Sequence, residues 1–315
     1  MTVSLDDVAA KVEAGERLSD EDVQALESGR DIISLGMLAD SVRRKMHGPT
    51  ITFVRVFDLT VEAGPKGPAL RTESRPGPDA ESRPGPFGSG DVPPDAGEVR
   101  LFHTPDTLDA AIEAVIRARE MAGSIPVSAF CLFELSKLPE GLPVVLPALK
   151  QAGLELITQA PLDRLRSPEP ALEAVSDAGL QLARLTIDQT PERPWSEVCR
   201  EVAAHQRRLR SIRVFAPLAR TIDHTQPTTG YADVKRVALS RVLVQNVDTI
   251  QIDWMLYGPK LAQVALTFGA DDLDSVPPIE DRSQGPRRSP LEEGRRSIQA
   301  ASFTPLERDA RFNPI

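Results

Sequence analysis

The chain has 315 residues, of which 41% are hydrophobic and 26% charged, and its formal net charge is −9. That composition describes a globular protein large enough to bury a substantial core. The acidic balance argues against nucleic-acid phosphate as the main partner, because phosphate binding calls for a basic surface.

The first 47 residues read as helices. Leu5, Val8, Ala9 and Val12 follow a 3.6-residue period, Gly15 closes the turn, and Ser19 with Asp22 opens a second helix. Ile32 to Met46 carries a broad apolar face and ends at Gly48-Pro49. The basic runs Arg43 to Gly48 and His205 to Arg210 fall at helix ends, where positive charge favours the helix dipole, so a structural role is expected of them. The start is acidic and lacks the apolar centre of a signal peptide, and no run of about 18 apolar residues suggests a membrane span, so a cytoplasmic protein is expected.

Thr50 to Phe57, TITFVRVF, is rich in β-formers and makes a credible first strand. From about Gly64 to Gly97 the composition turns to proline and glycine, with RPGP used twice, and a flexible insertion is expected. Alternation then becomes regular. Helix Thr107–Met121 precedes strand Ile125–Leu132, helix Leu142–Ala152 precedes strand Leu154–Thr158, and helix Pro168–Ala178 precedes strand Leu180–Ile187. Helix Trp195–Leu209 leads to strand Ile212–Ala216, helix Tyr231–Gln245 to strand Thr249–Trp254, and helix Pro259–Phe268 to a short strand near Ala270–Leu273. Repeated strand–helix units imply a parallel sheet, and the expected fold is an α/β, TIM-like parallel barrel with ligands at its C-terminal face. The strand count falls one short of eight, so the barrel is expected to be incomplete or irregular. The expected organisation is an N-terminal helical extension over residues 1–48, a barrel over 49–275, and a C-terminal loop and short helix over 276–315, with Pro277 to Arg296 as loop and Ile298 to Asp309 as helix.

Several residues are candidates for chemistry. Asp271, Asp272 and Asp274 follow Gly269, and at a barrel rim they could hold ribose hydroxyls or a magnesium ion; alternatively, aspartates after a glycine cap the next turn. Asp253 is a candidate acid if it points into the barrel. Trp254 and Tyr257 flank a strand end and could stack on a base, or belong to the core. His224, with Asp223, forms the best acid/base pair, since a loop histidine has room to exchange protons. Asp188 and Glu192 follow a strand, where barrel catalysts sit. No pair of histidines is spaced for zinc, and the two cysteines, Cys131 and Cys199, offer neither a disulfide framework nor metal-binding spacing.

The segment from Pro217 to Ser275, the closing TPLERDARF at Thr304 to Phe312, and SLGMLADSVRRKMHG at Ser34 to Gly48 resemble the menaquinone-pathway radical SAM enzymes, aminofutalosine synthase and cyclic dehypoxanthinyl futalosine synthase, and the related FO synthases. The resemblance implies a barrel whose late strands help to hold nucleoside and substrate. It also implies a Cys-x-x-x-Cys-x-x-Cys motif after the first strand, whose thiolates hold a 4Fe–4S cluster, because such clusters need soft anionic ligands. The corresponding stretch here is DLTVEAGPKG, Asp58 to Gly67, without a cysteine. The family's glycine-rich strand end is replaced by ITQAP at Ile157 to Pro161. The expectation is therefore a chain with no 4Fe–4S cluster and no other cofactor, acting as the non-catalytic partner of a homologue that has the cysteine motif. Two alternatives are an acid/base enzyme on a nucleoside or futalosine-like substrate, using His224, Asp188 and Asp271, and a small-molecule binding protein.

Overall fold

Local sequence signals set the first three helices. Ser4 caps α1 (Leu5–Ala14) by accepting from the Asp7 N–H, and Gly15 ends it at φ 72°. Ser19 and Asp22 form a reciprocal capping box on α2 (Asp20–Ser28). Asp31 caps α3 (Ile32–His47), which carries Arg44, Lys45 and His47 in its last turn. The protein is represented by a computed structural model that describes residues 4–64, 67–72, 92–221, 229–278 and 290–315. His224, Asp223 and most of the Pro/Gly-rich insertion lie outside the described residues.

Among the described residues, eight parallel strands close into a barrel. In chain order they are β1 (Thr50–Gly64), β3 (Glu98–Phe102), β4 (Val127–Cys131), β5 (Leu156–Pro161), β7 (Leu185–Ile187), β8 (Val214–Ala219), β9 (Thr249–Asp253) and β10 (Asp272–Val276). Neighbours pair in that order, and β1 with β10 completes the ring through Thr52 opposite Asp272 and Phe53 opposite Leu273. Helices α4 (Leu108–Ala122), α6 (Leu142–Gln151), α7 (Pro168–Asp177), α8 (Trp195–Leu209), α9 (Gly230–Leu243) and α10 (Trp254–Leu266) form the outer layer, with the short α5 (Leu132–Leu135) directly after β4. The outward residues of the strands and the inner faces of these helices make one continuous apolar core. Trp195 stacks on Phe215 there, 6.2 Å between centroids. The N-terminal helices dock on this layer: Glu27 accepts from the N–H and hydroxyl of Ser196 at the start of α8, and Lys235 of α9 donates to the carbonyls of Glu27 and Gly29.

Three expectations are corrected. The barrel is closed, because the strand missing from the count is β3, EVRLF. Its inward positions are Glu98 and Arg100, so it has no apolar run; its outward Val99 and Leu101 are buried. Irregularity does survive in the shifts of register between β1 and β10 and between β7 and β8, and in the two-residue β6 (Gln181–Leu182) beside β5. The C-terminal tail is organised differently from the expected loop and helix. Helix α11 (Pro290–Ala300) occupies part of the expected loop, and Thr304–Glu307 forms β11, parallel to Thr50–Phe53 of β1. Thr304-Pro305 looks like a helix start in isolation, but the lower edge of β1 offers backbone partners, and Thr304 N–H donates to the Pro49 carbonyl at 2.8 Å.

The first strand is the element most unlike a simple barrel strand. It continues past the rim to Gly64 and turns back as β2 (Gly67–Thr72), pairing antiparallel from Leu59 opposite Thr72 to Gly64 opposite Gly67. A strand has two edges. Pairing with β10 below and β2 above uses one, and pairing with β11 below and β3 above uses the other.

Candidate functional site

The barrel interior is filled by charge. Arg100 of β3 is buried and donates through Nε and Nη2 to both oxygens of Glu98, at 2.8 and 2.9 Å. Its Nη2 also reaches Asp274 Oδ1 of β10 at 2.7 Å, and its Nη1 reaches the Ser275 hydroxyl at 3.0 Å. Arg184, between β6 and β7, donates to the other oxygen of Asp274 and, through Nε, to the Thr158 carbonyl at 3.1 Å. Ser128 of β4 donates to Glu98, and Thr158 of β5 donates to Ser128. Above this cluster Arg220 donates to Asp253 Oδ2 at 2.8 Å, while Asp253 Oδ1 caps α10 by accepting from the Leu256 N–H at 3.0 Å. With Ser275 donating to Asp253 at 3.2 Å, the network joins β3, β4, β5, β9 and β10 across the lumen, through Arg184 just before β7.

Burial alone would raise the pKa of Glu98, but Arg100 and Arg184 outweigh it and hold the carboxyl down to about 2. Burial works against the charge of Arg100 too, and Glu98 overcomes it, so that pKa is raised. Burial pushes Arg184 well below its ordinary value, with Arg100 adding repulsion and Glu98 opposing it. A carboxylate held this firmly in its ionised form is a poor proton donor near neutrality.

The three candidate aspartates after Gly269 do not lie at the C-terminal rim. Asp272 and Asp274 are inward residues of β10, and Asp271 immediately precedes it, at the N-terminal end of the barrel. Each is buried against an arginine. Asp271 accepts from Arg241 and from the Ile250 N–H, with His47 Nε2 at 3.2 Å from its other oxygen. Burial raises its pKa, against the pull of Arg241 and His47. Arg308 grips Asp272 with two bonds, 2.7 and 2.6 Å, and Gln251 donates to it at 2.8 Å. The glycine before them serves packing: Gly269 sits at φ 99° with an ideal Cβ only 2.8 Å from Arg241 Cβ.

The remaining candidates are placed apart. Asp188 follows β7 at the C-terminal rim, where Arg164 Nη1 at 2.9 Å and the Thr221 hydroxyl at 2.8 Å donate to its carboxylate. Asp188 and Asp271 therefore stand at opposite ends of the barrel and do not form a common acid/base site. Trp254 is a fully buried core residue, 1% exposed, and Tyr257 donates its hydroxyl to the Ala219 carbonyl at 2.8 Å. The central residues Arg100, Arg184 and Glu98 were missed as candidates. The alternation Glu98-Val99-Arg100-Leu101 was the signal for two of them, a period-2 pattern with charge on one face.

The cysteines do not meet the demands of an iron–sulfur site. After β1 the chain forms the β1–β2 hairpin, and DLTVEAGPKG contributes no thiol. Cys131 ends β4, and its thiol is pushed up by burial. Cys199 lies in α8, fully buried in the outer layer, with its thiol raised further by burial and hydrogen-bonded to Ser240. Thiolate ligands need the opposite shift. No group of three His, Cys, Asp or Glu side chains among the described residues could hold a metal ion. Nor is any described helix long and apolar enough to cross a membrane.

An eight-stranded parallel barrel with its helices outside places the chain among the TIM-like α/β barrels. Residues 216–314 match the family model described as the CofH/MqnC C-terminal region. Aminodeoxyfutalosine synthase of Thermus thermophilus is 27% identical over 98% of this chain and 95% of that enzyme. The 5-amino-6-(D-ribitylamino)uracil–L-tyrosine 4-hydroxyphenyl transferase 2 of Methanosarcina barkeri is 38% identical, over 28% of this chain and 24% of that enzyme. Among solved structures, methylornithine synthase (PylB) has a TM-score of 0.63 at 12% identity, covering 95% of this chain and 97% of that one, a likeness of fold. Together these comparisons relate the chain to the futalosine- and FO-synthase-related radical SAM enzymes.

Proposed function

We propose that the chain is a cluster-free relative of these enzymes and acts as the non-catalytic partner subunit of a homologue that carries the Cys-x-x-x-Cys-x-x-Cys motif, in quinone-related biosynthesis. The observation that carries this reading is the replacement of the cluster segment by the cysteine-free β1–β2 hairpin. Charge balance supports it. The lumen carboxylates Glu98, Asp253 and Asp274 each pair with one of the chain's own arginines, Arg100, Arg184 or Arg220, which engages these charges within the chain. Helix α3 also turns Ile33 and Met37 to solvent, 65% and 70% exposed, one turn apart on a helix otherwise docked on the barrel. The acid/base enzyme reading has no comparable support, since its proposed residues Asp188 and Asp271 are separated by the barrel.

Two measurements test the proposal. Anaerobic reconstitution with iron and sulfide should leave the protein without the cluster's absorbance near 410 nm and without cleavage of S-adenosylmethionine. Tagged protein isolated from its source cells should carry a homologue with the cysteine motif. A solitary monomer that assembles a cluster and cleaves S-adenosylmethionine would overturn the reading.

A further inference from the structure

The N-terminal end of the barrel, opposite the rim, is closed by the residues that follow β11. Asp309 folds them into a tight turn, accepting from the N–H groups of Arg311 and Asn313 at 2.8 Å each and from the Asn313 amide at 3.0 Å. This turn holds Phe312 at φ 67°, a conformation that costs a bulky residue energy. The result is a ring laid between two guanidinium groups, with Arg308 at 3.7 Å and Arg213 at 4.1 Å from its centroid.

Three arginines meet here, and they differ in one respect. Arg308 is satisfied by two bonds to Asp272, and Arg311 by two bonds to Glu155 at 2.6 and 2.8 Å. Arg213 has no carboxylate within ion-pair distance among the described residues, and its hydrogen bond to the Arg311 carbonyl is long, 3.4 Å. The stacked ring fixes the plane of its guanidinium and leaves N–H edges available. Arg213 lines a cavity of about 200 Å³ together with the apolar Leu156, Leu180, Leu182, Ala183 and Phe312, and with Arg311 among its polar residues.

We propose that this cavity binds a small carboxylic acid with an apolar body, aromatic or branched aliphatic, its carboxylate on Arg213 and its body among the leucines. A guanidinium fork matches a carboxylate with two parallel hydrogen bonds, and apolar walls with one oriented cation are the usual make-up of such a site. The volume suits a single ring. Inorganic phosphate would leave the leucine walls unfilled, and Arg311, the other cation lining the cavity, is already held by Glu155. The site lies at the end of the barrel away from the rim and does not rest on the reading of the lumen given above.

The test uses the full chain and 4-fluorobenzoate, followed by fluorine NMR. Saturable broadening is expected, displaced by benzoate and at least ten-fold less sensitive to acetate or inorganic phosphate. Arg213→Gln, which removes the cation, and Ala183→Leu, which fills the cavity and leaves Arg213 in place, should each weaken binding at least ten-fold. Circular dichroism checks that each remains folded, and Ala183→Leu carries the test if Arg213→Gln does not fold. Arg44→Gln, stacked on Phe303 away from the cavity, should bind as the parent does. Absence of saturable binding, undiminished binding by the folded variants, or equal displacement by acetate or phosphate would each overturn the proposal.

Discussion

Replacing Arg100 with methionine removes the centre of the lumen network while keeping an apolar stem of similar length. Four hydrogen bonds are lost, to both oxygens of Glu98, to Asp274 and to Ser275. Two buried carboxylates then share Arg184 alone. Breaking a buried ion pair from one side typically costs about 3–5 kcal/mol. The depression of Glu98 gives a consistent figure by a separate route: a fall from 4.5 to about 2 corresponds to about 3 kcal/mol. With roughly 2.1 cal/mol/K of unfolding entropy per residue over 315 residues, a loss of about 4 kcal/mol lowers the thermal midpoint by roughly 6 °C. The pH dependence provides the sharper signature. Glu98 in the parent is depressed, so its contribution is present above pH 4.5 and is lost as pH falls towards 2. In the variant the same carboxyl, buried and short of its main partner, moves upward and is protonated in the folded state by pH 4.5. The penalty should therefore be large at pH 7.5 and clearly smaller at pH 4.5. Thermal unfolding followed by circular dichroism at both pH values measures it. A penalty under about 1 kcal/mol, or one equal at the two pH values, would refute the view that the lumen is held by paired charge.

Three further outcomes are expected. Arg308→Ala leaves the fully buried Asp272 without its bidentate partner, and should cost about 3–5 kcal/mol and speed hydrogen exchange through β11. Gly269→Ala adds a Cβ where Arg241 Cβ lies 2.8 Å away at a positive φ, and about 2 kcal/mol of lost stability is expected in chemical unfolding. Native thiol titration should leave Cys199 unmodified and Cys131 slow to react, with both labelled in guanidinium chloride; rapid native labelling of Cys199 would contradict its buried, hydrogen-bonded position.

Helices were the most legible part of the chain, because their signals are local. The Ser19–Asp22 capping box, the Thr107 cap of α4 and the amphipathic run Trp195–Leu209 all work within a few residues, and all appear where the spacing put them. The parallel α/β architecture was legible for the same reason, since strand and helix periods alternate along the chain. Strands with charged inward faces were not. EVRLF at Glu98 and DLDSV at Asp272 look polar when read in order, so the first was passed over and the second was read as a short strand ending near Leu273, with its aspartates as candidates for the rim. Their charges are tolerable in a core only because each finds its opposite across the barrel. Arg100 and Asp274 are separated by 174 residues, and Asp272 and Arg308 by 36. Likewise, TPLE at Thr304 carries a local helix-start pattern that gives way to pairing with Thr50–Phe53. The missing cysteines after the first strand could be read directly from the residues. That the same segment extends as a hairpin, that the ring closes on β1, and that Glu98, Asp253 and Asp274 meet arginines in the lumen depend on contacts that exist only in the folded chain.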